Sequence, residues 1–191
     1  YEEARSIYEK ASQIAKMDIA KICFEGPEEE LMKTENTQLA ILTTSLAILE
    51  ILKKEGVTAQ IAAGLSLGEY GALISADMIS FEEGIKLIQK RGYYMGTLLP
   101  EGNYAMAAVI GLDNEKIENI CQELSSQGKF VIPANYNCSV QTAISGEQEA
   151  VTEAMEKLKE AGAKRVIPLK TAGPFHTPKL EQAKLAYEKE L

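Results

Sequence analysis

The chain has 191 residues with a formal net charge of −8, and 46% of its residues are hydrophobic. This length and hydrophobic content suit one large domain, or one domain with a smaller inserted lobe. The negative charge argues against binding to nucleic acid or to an anionic membrane surface. No apolar run reaches the roughly 20 residues that a membrane-spanning helix needs.

The few cysteines and the single histidine further narrow the class of protein. The three cysteines, Cys23, Cys121 and Cys138, are far apart in the sequence, and reduced thiols in a cytoplasmic protein are their simplest interpretation. With one histidine, His176, no metal site is expected. No secretory signal peptide is recognisable. Because the sequence opens with Tyr1 inside one helical pattern and stops inside another, we expect it to be a piece of a longer chain.

The first hundred residues are predicted to be mostly helical. Helices are predicted, in chain order, over residues 1–17, 18–25, 37–54, 70–76 and 81–98. The longest of them has leucines that recur at three- and four-residue steps, and the last opens with a capping box formed by Ser80 and Glu83. A β-prone run over 57–63 predicts a strand just before the fourth helix.

The predicted secondary structure changes near residue 103, from mostly helical to a mixture of strands and helices. Strand, helix, strand, strand, helix and strand are predicted over 104–110, 113–125, 129–134, 140–145, 147–161 and 164–169. The turn of the central hairpin is predicted at 135–137. This β-α-β-β-α-β order is that of a ferredoxin-like unit. Residues 103–169 are therefore predicted to be a small inserted lobe.

A nucleophile-elbow pattern stands between the predicted strand and the fourth helix. Residues 64–68 read Gly-Leu-Ser-Leu-Gly, which would expose the hydroxyl of Ser66 on a sharp turn. Gly64 and Gly68 are expected to let neighbouring backbone approach closely, and the N–H groups at the helix start to stabilise an oxyanion. The alternative is a plain strand-to-helix turn with a capping serine. With the elbow, the chain is predicted to be an α/β protein: a hydrolase-like core with a parallel sheet, made of 1–102 and 170–191.

Three further side chains are candidates for the same site. His176 is the only histidine, so a serine that needs an imidazole base has no other choice. Arg91 is followed by a glycine inside a predicted helix, and its planar fork is suited to a carboxylate, although a solvated helix arginine is the commoner case. Gln38, near the start of the longest helix, is suited either to donating to substrate or to capping.

The acidic member of a catalytic triad has no clear candidate. Between Ser66 and His176 the only aspartates are Asp77 and Asp113, one just after the elbow helix and one at a helix start. Either a backbone carbonyl or a side-chain amide orients the histidine, or the orienting residue lies beyond Leu191.

Four stretches, residues 64–70, 89–92, 133–137 and 173–177, together resemble the malonyl-CoA:acyl-carrier-protein transacylase family. This family is related to the acyltransferase domains of polyketide synthases. The resemblance covers essentially the whole chain and implies the same α/β core with a ferredoxin-like insert. It also implies malonyl transfer by a ping-pong mechanism, in fatty-acid biosynthesis.

The resemblance also implies a role for each candidate. Ser66 would carry the malonyl group as an ester, and His176 would act first as base and then as acid. Arg91 would hold the malonyl carboxylate, and the backbone N–H of Leu67 would form half of the oxyanion hole. Gln38 matches a family glutamine near the pocket. The implied partners are malonyl-CoA and acyl carrier protein, with no cofactor, for a monomeric cytoplasmic enzyme.

The sequence departs from the family pattern in three places. Leu65 stands where the family usually has histidine. The loop that supplies the second oxyanion donor has no match, and neither has the C-terminal segment whose residue orients the histidine. We therefore expect this chain alone to be weakly active or inactive. Two alternatives are a serine esterase or thioesterase, which needs no carboxylate clamp, and a non-catalytic fragment that binds carrier protein.

Overall fold

The computed structural model describes residues 1–171 and 173–191. These residues form two compact units, Tyr1–Gly96 together with Ala186–Leu191, and Thr97–Leu185. The first unit is built from helices and the second around a sheet. The division of the domain into a core of 1–102 with 170–191 and a lobe of 103–169 stays a prediction.

The first unit contains the predicted helices and one short helix that was not predicted. They are α1 (Glu2–Ala15), α2 (Ile19–Phe24), α3 (Glu28–Met32), α4 (Thr34–Lys54), α5 (Gly68–Ser75) and α6 (Phe81–Thr97). The first three leucines of the α4 stripe are buried, with Leu39 and Leu42 each 1% exposed, whereas Leu52 near the end of the helix is 42% exposed. The three buried leucines pack in one cluster with Ala11 of α1 and with Ile85 and Ile88 of α6. The amphipathic periodicity of α4 thus forms the core of this unit.

The capping box at the start of α6 forms as predicted. The backbone N–H of Glu83 donates to Ser80 Oγ at 3.2 Å, and the N–H of Ser80 donates to Glu83 Oε2 at 2.9 Å. The Ser80 hydroxyl also donates to the same carboxylate oxygen at 2.6 Å. These bonds to Ser80 lower the pKa of the Glu83 carboxyl below its ordinary value.

The strand predicted over 57–63 is not formed, so this prediction was wrong. Every residue from 57 to 65 is exposed, and none is in a strand. β-prone residues form a strand only where a neighbouring strand can take their backbone hydrogen bonds. The strands in the described ranges all pair with one another in the second unit, and they include no parallel pair.

The second unit has the predicted β-α-β-β-α-β order. Its elements are β1 (Tyr104–Ile110), α7 (Asn114–Ser126), β2 (Val131–Cys138), β3 (Gln141–Glu147), α8 (Gln148–Glu160) and β4 (Arg165–Leu169), followed by α9 (Glu181–Tyr187), whose last two residues belong to the first unit. The sheet order is β2-β3-β1-β4 and each neighbouring pair is antiparallel. This topology confirms the ferredoxin-like prediction.

The core of this unit joins the sheet to its two long helices. Val109 of β1 and Ile144 of β3 are fully buried in one cluster with Ile117 of α7 and Leu158 of α8. Residues 106–109 of β1 are all buried. This continuous apolar run and the 3.6-residue period of the helices explain why local patterns predicted this unit well.

The predicted turn at 135–137 was placed too early. Asn135 pairs with Ala143 and Tyr136 with Thr142, so β2 runs on to Cys138. Two register shifts on this strand accommodate the extra residues as bulges, the first of them next to Pro133, which has no N–H to give to the ladder.

Across the described ranges, no helix combines the length and apolar character that crossing a membrane would require.

Candidate active site

The elbow turn brings Ser66 to the start of α5. Ser66 has a φ of 55°, in the left-handed region that is strained for residues other than glycine. The turn is closed by hydrogen bonds from the N–H of Gly68 to the carbonyl of Leu65 at 2.9 Å and from Glu69 to Ser66 at 3.3 Å. A strained serine between a tight turn and a helix start matches the elbow predicted from the sequence.

The two glycines of the motif differ in their surroundings. A Cβ on Gly64 would lie 2.0 Å from the carbonyl carbon of Gly68 and 2.4 Å from the nitrogen of Glu69, so no larger residue fits. A Cβ on Gly68 would meet no described atom within 4 Å. The close approach expected at both glycines is therefore found at Gly64 and not at Gly68.

Arg91 of α6 reaches the nucleophile directly. Its Nη2 donates a hydrogen bond to Ser66 Oγ at 2.9 Å, and its Nη1 donates to Gln38 Oε1 at 2.5 Å. Gln38 is only 5% exposed, and its amide nitrogen contacts Met95 Sδ at 3.4 Å. The side chain of Gln38 is therefore committed to Arg91 and Met95, and the arrangement joins three of the predicted site residues in one unit.

A close approach of two helices sets the position of Arg91. At the neighbouring Gly92, a Cβ would lie 2.8 Å from the Cα of Glu35 and 3.2 Å from the carbonyl oxygen of Thr34. Glycine at this position lets α6 contact the first turn of α4 backbone to backbone. Gln38 lies one turn further along α4, so the same contact brings it within reach of Arg91.

One tyrosine lies beside the guanidinium, and a second tyrosine contacts the first. The guanidinium carbon of Arg91 is 5.9 Å from the centre of the Tyr70 ring, within range of a cation–π contact. The Tyr70 hydroxyl is 2.7 Å from the hydroxyl of Tyr187, and burial together with this bond raises the pKa of Tyr187 well above its ordinary value. Sequence reasoning gave neither tyrosine a role: Tyr70 was noted only inside the motif, and Tyr187 is 117 residues away from it.

The remaining predicted residues lie on loops and turns. Within the described residues, no hydrogen bond from the N–H of Leu67 to another backbone group is found. Leu65, at the family's usual histidine position, is 64% exposed. No group of three or more histidine, cysteine or acidic side chains that could hold a metal ion occurs within 1–171 and 173–191.

His176 belongs to the second unit, where it is exposed and has a φ of 59°. Its loop is held by Thr177, whose hydroxyl donates to the carbonyl of Pro174 at 2.7 Å. A Cβ on Gly173 would lie 3.0 Å from side-chain atoms of both Leu99 and Phe175, so this loop is closely packed. The pairing of His176 with the serine of the first unit stays a prediction.

Comparison with known proteins gives one consistent family. The acyl transferase domain family matches residues 4–191. The malonyl CoA-acyl carrier protein transacylase of Bacillus subtilis (strain 168) is 41% identical over 180 residues, and that of Staphylococcus aureus (strain MSSA476) is 44% identical over 176 residues. These alignments cover 94% and 92% of this chain, but 57% and 56% of the relatives.

Solved structures agree with the sequence comparison. The malonyl CoA-acyl carrier protein transacylase of Coxiella burnetii superposes with a TM-score of 0.93 at 38% identity, over 100% of this chain and 60% of that one. A malonyl-transacylase solved in complex with a type II PKS acyl-carrier protein gives a TM-score of 0.90 at 40% identity, over 98% of this chain and 60% of that one.

The chain belongs to the acyl transferase domain family. The relatives and structures above also confirm the resemblance to malonyl-CoA:acyl-carrier-protein transacylases and the α/β fold class that the motifs indicate. The chain spans less than two thirds of the length of these relatives.

Proposed function

We propose that this chain carries the nucleophile and the carboxylate clamp of a malonyl-CoA:acyl-carrier-protein transacylase. Ser66 is the nucleophile, His176 the general base and acid, and Arg91 the group that binds the malonyl carboxylate. Leu67 supplies one oxyanion donor, and Gln38 completes the substrate-binding residues by holding Arg91. The observation that carries the proposal is the hydrogen bond between Arg91 Nη2 and Ser66 Oγ.

The contact matters because of the shape of the substrate. In a malonyl thioester a single methylene separates the reactive carbonyl from the carboxylate. A guanidinium in contact with the attacking oxygen is therefore within reach of a carboxylate so close to the reacting carbon. Two parallel N–H donors match the two oxygens of that carboxylate, and a charge-assisted pair offsets its loss of water.

The proposed reaction runs in two balanced half-reactions. Ser66 Oγ attacks the thioester carbon as His176 takes its proton, and the N–H of Leu67 donates to the oxyanion. The carbon–sulfur bond then breaks, and the proton passes to the coenzyme A thiolate. In the second half-reaction the phosphopantetheine thiol of the carrier protein attacks the serine ester, and the same proton transfers run in reverse.

This chemistry defines the partners. The substrates are malonyl-CoA and a phosphopantetheinylated acyl carrier protein, and acyl transfer between thioester and ester involves no redox step, so the proposal includes no cofactor. The pathway proposed is fatty-acid biosynthesis, in the cytoplasm. The names of the relatives, malonyl CoA-acyl carrier protein transacylase, support the two substrates.

The test is intact-mass spectrometry after incubation with malonyl-CoA, beside a Ser66→Ala control. We expect a single malonyl adduct on the unmodified chain and none on the variant. Losing one oxyanion donor costs about 100- to 1,000-fold in rate, so the time course must extend to hours. If no adduct forms on this chain or on one lengthened at both ends to the size of the relatives, the proposal fails.

The esterase alternative makes a different prediction for Arg91→Ala. A transacylase loses malonyl transfer selectively in this variant, because only the substrate carboxylate needs the guanidinium. A simple serine esterase retains its turnover of acyl esters in this variant, because it needs no carboxylate clamp. A non-catalytic carrier-binding fragment acquires no label on Ser66 from either substrate.

A further inference from the structure

Arg91 is held from two sides, and the proposed function accounts for only one of them. On one side its Nη1 donates to the buried Gln38. On the other lies the ring of Tyr70, with the guanidinium carbon 5.9 Å from the ring centre. Arg91 has a long, flexible side chain. Its guanidinium therefore stays directed at Ser66 only if it is restrained on both sides.

The Tyr70 ring is in turn fixed at both ends. Its Cβ is anchored in the first turn of α5, and its hydroxyl is 2.7 Å from the hydroxyl of Tyr187. A hydrogen bond at the far end of a phenol ring limits the swing of the ring about its anchor. The face that Tyr70 presents to Arg91 therefore depends on Tyr187.

Tyr187 lies in a segment with further bonds to the arginine helix. Glu190 accepts a hydrogen bond from the hydroxyl of Tyr94 at 2.7 Å and forms an ion pair with Lys90. Both partners are on α6, on either side of Arg91. The segment that holds Tyr187 is thus attached to the helix that carries the clamp, in the same unit.

The protonation state of Tyr187 is consistent with a role beside a carboxylate-binding arginine. Burial raises the pKa of Tyr187, and the bond to Tyr70 raises it further, so this phenol stays neutral at ordinary pH. The neutral Tyr187 hydroxyl does not compete with a substrate carboxylate for the positive charge of Arg91.

We propose that Tyr70 and Tyr187 are positioning residues that act through Arg91 to set the preference for a carboxylated acyl group. This inference rests on the proposed function, because it assumes that Arg91 binds the malonyl carboxylate. It assigns selectivity to a hydroxyl, that of Tyr187, which touches neither Ser66 nor Arg91 through a hydrogen bond in the structure.

The first test observes Arg91 without any ligand. The Nε–Hε resonance of Arg91 is recorded by ¹⁵N NMR and assigned by its loss in Arg91→Lys. We expect Tyr187→Phe to shift this resonance, because the Tyr70 ring above the guanidinium changes its tilt. Tyr136→Phe is the matched control, since its hydroxyl also binds a side chain, Glu118, but in the second unit. An unmoved Arg91 resonance in Tyr187→Phe overturns the inference.

The second test measures selectivity without turnover. In a Ser66→Ala background, dissociation constants for malonyl-CoA and acetyl-CoA are measured by calorimetry, with and without Tyr187→Phe and Arg91→Ala. We expect Tyr187→Phe to reduce the preference for malonyl-CoA about two- to fivefold, the range of an exposed cation–π contact. The same change in the Arg91→Ala background should have no effect on the ratio.

The outcomes separate the two proposals. If the parent chain binds malonyl-CoA no better than acetyl-CoA, the carboxylate clamp of the proposed function fails, whatever the NMR result. If the parent prefers malonyl-CoA and Tyr187→Phe leaves that preference unchanged, only the present inference fails. A loss that persists in Arg91→Ala assigns Tyr187 a purely structural role and overturns the inference as well.

Discussion

The sheet of the second unit and the elbow of the first hold their backbone in different ways. In the sheet, β1 pairs on both sides, and α7 and α8 share a core cluster with it. At the elbow, residues 57–65 are exposed and belong to no strand, yet the turn that follows is tightly defined. The geometry of this turn is set by the close backbone approach at Gly64, by the hydrogen bonds that close the turn, and by the contact of Arg91 with Ser66.

This difference shows that a sheet and a catalytic turn need different kinds of support. The sheet depends on burial and on paired backbone groups, which are spread over many residues. The elbow depends on a few contacts between specific atoms, so single substitutions there should affect chemistry far more than folding. The predictions below use substitutions that separate these two kinds of support.

The largest effect is expected from Gly64→Ala. Its new methyl group would overlap the backbone of Gly68, so the turn must open and displace Ser66. We expect acylation of Ser66 to fall by at least about 100-fold, the scale of losing a positioned catalytic group. The rate of malonyl adduct formation measures this, with circular dichroism to verify the fold. Gly68→Ala is the matched control and should keep most activity, and equal losses in both variants would contradict the steric account.

A large effect on stability is expected from Ile117→Ala in the second unit. Ile117 is fully buried in the core cluster, so truncation removes apolar contacts and leaves a cavity, at a cost of about 2–5 kcal/mol. Urea unfolding monitored by circular dichroism gives the change. Ile61→Ala is the control, since Ile61 is 89% exposed in the unpaired segment and should change stability by less than about 0.5 kcal/mol. A comparable loss in Ile61→Ala would show that residues 57–65 are packed in solution.

The smallest effect is expected at the capping box of α6. Ser80→Ala removes the N-cap hydroxyl and should cost about 1 kcal/mol of stability. Because the folded pKa of Glu83 lies below its ordinary value, its contribution is present above that ordinary value and is lost as the pH falls through the folded pKa. The stability difference between the native chain and Ser80→Ala should therefore shrink in acid. A difference that grows as the pH falls would contradict this coupling.

Local patterns predicted the second unit well because its strands find their partners within the same short stretch of chain. The same reasoning failed at 57–63, since β-propensity indicates which residues suit a strand but provides no strand to pair with. For the site, the motif indicated Ser66, and residue chemistry indicated Arg91. Their contact with Gln38 required Gly92 and the packing of α6 on α4, which no spacing encodes. The contact of Tyr187 with Tyr70 could not be predicted, because no motif or spacing near Tyr187 connects it with the elbow.

The central claim is that Arg91 selects the acyl group that Ser66 receives. The most direct test is a competition in which the chain is incubated with equal concentrations of malonyl-CoA and acetyl-CoA, and the two Ser66 adducts are quantified by intact-mass spectrometry. With Arg91 present we expect malonyl adduct in excess by about 10- to 100-fold, the scale of a charge-assisted hydrogen bond. Arg91→Ala should abolish that excess. Equal labelling by both substrates, or a malonyl preference that survives in Arg91→Ala, would contradict the account.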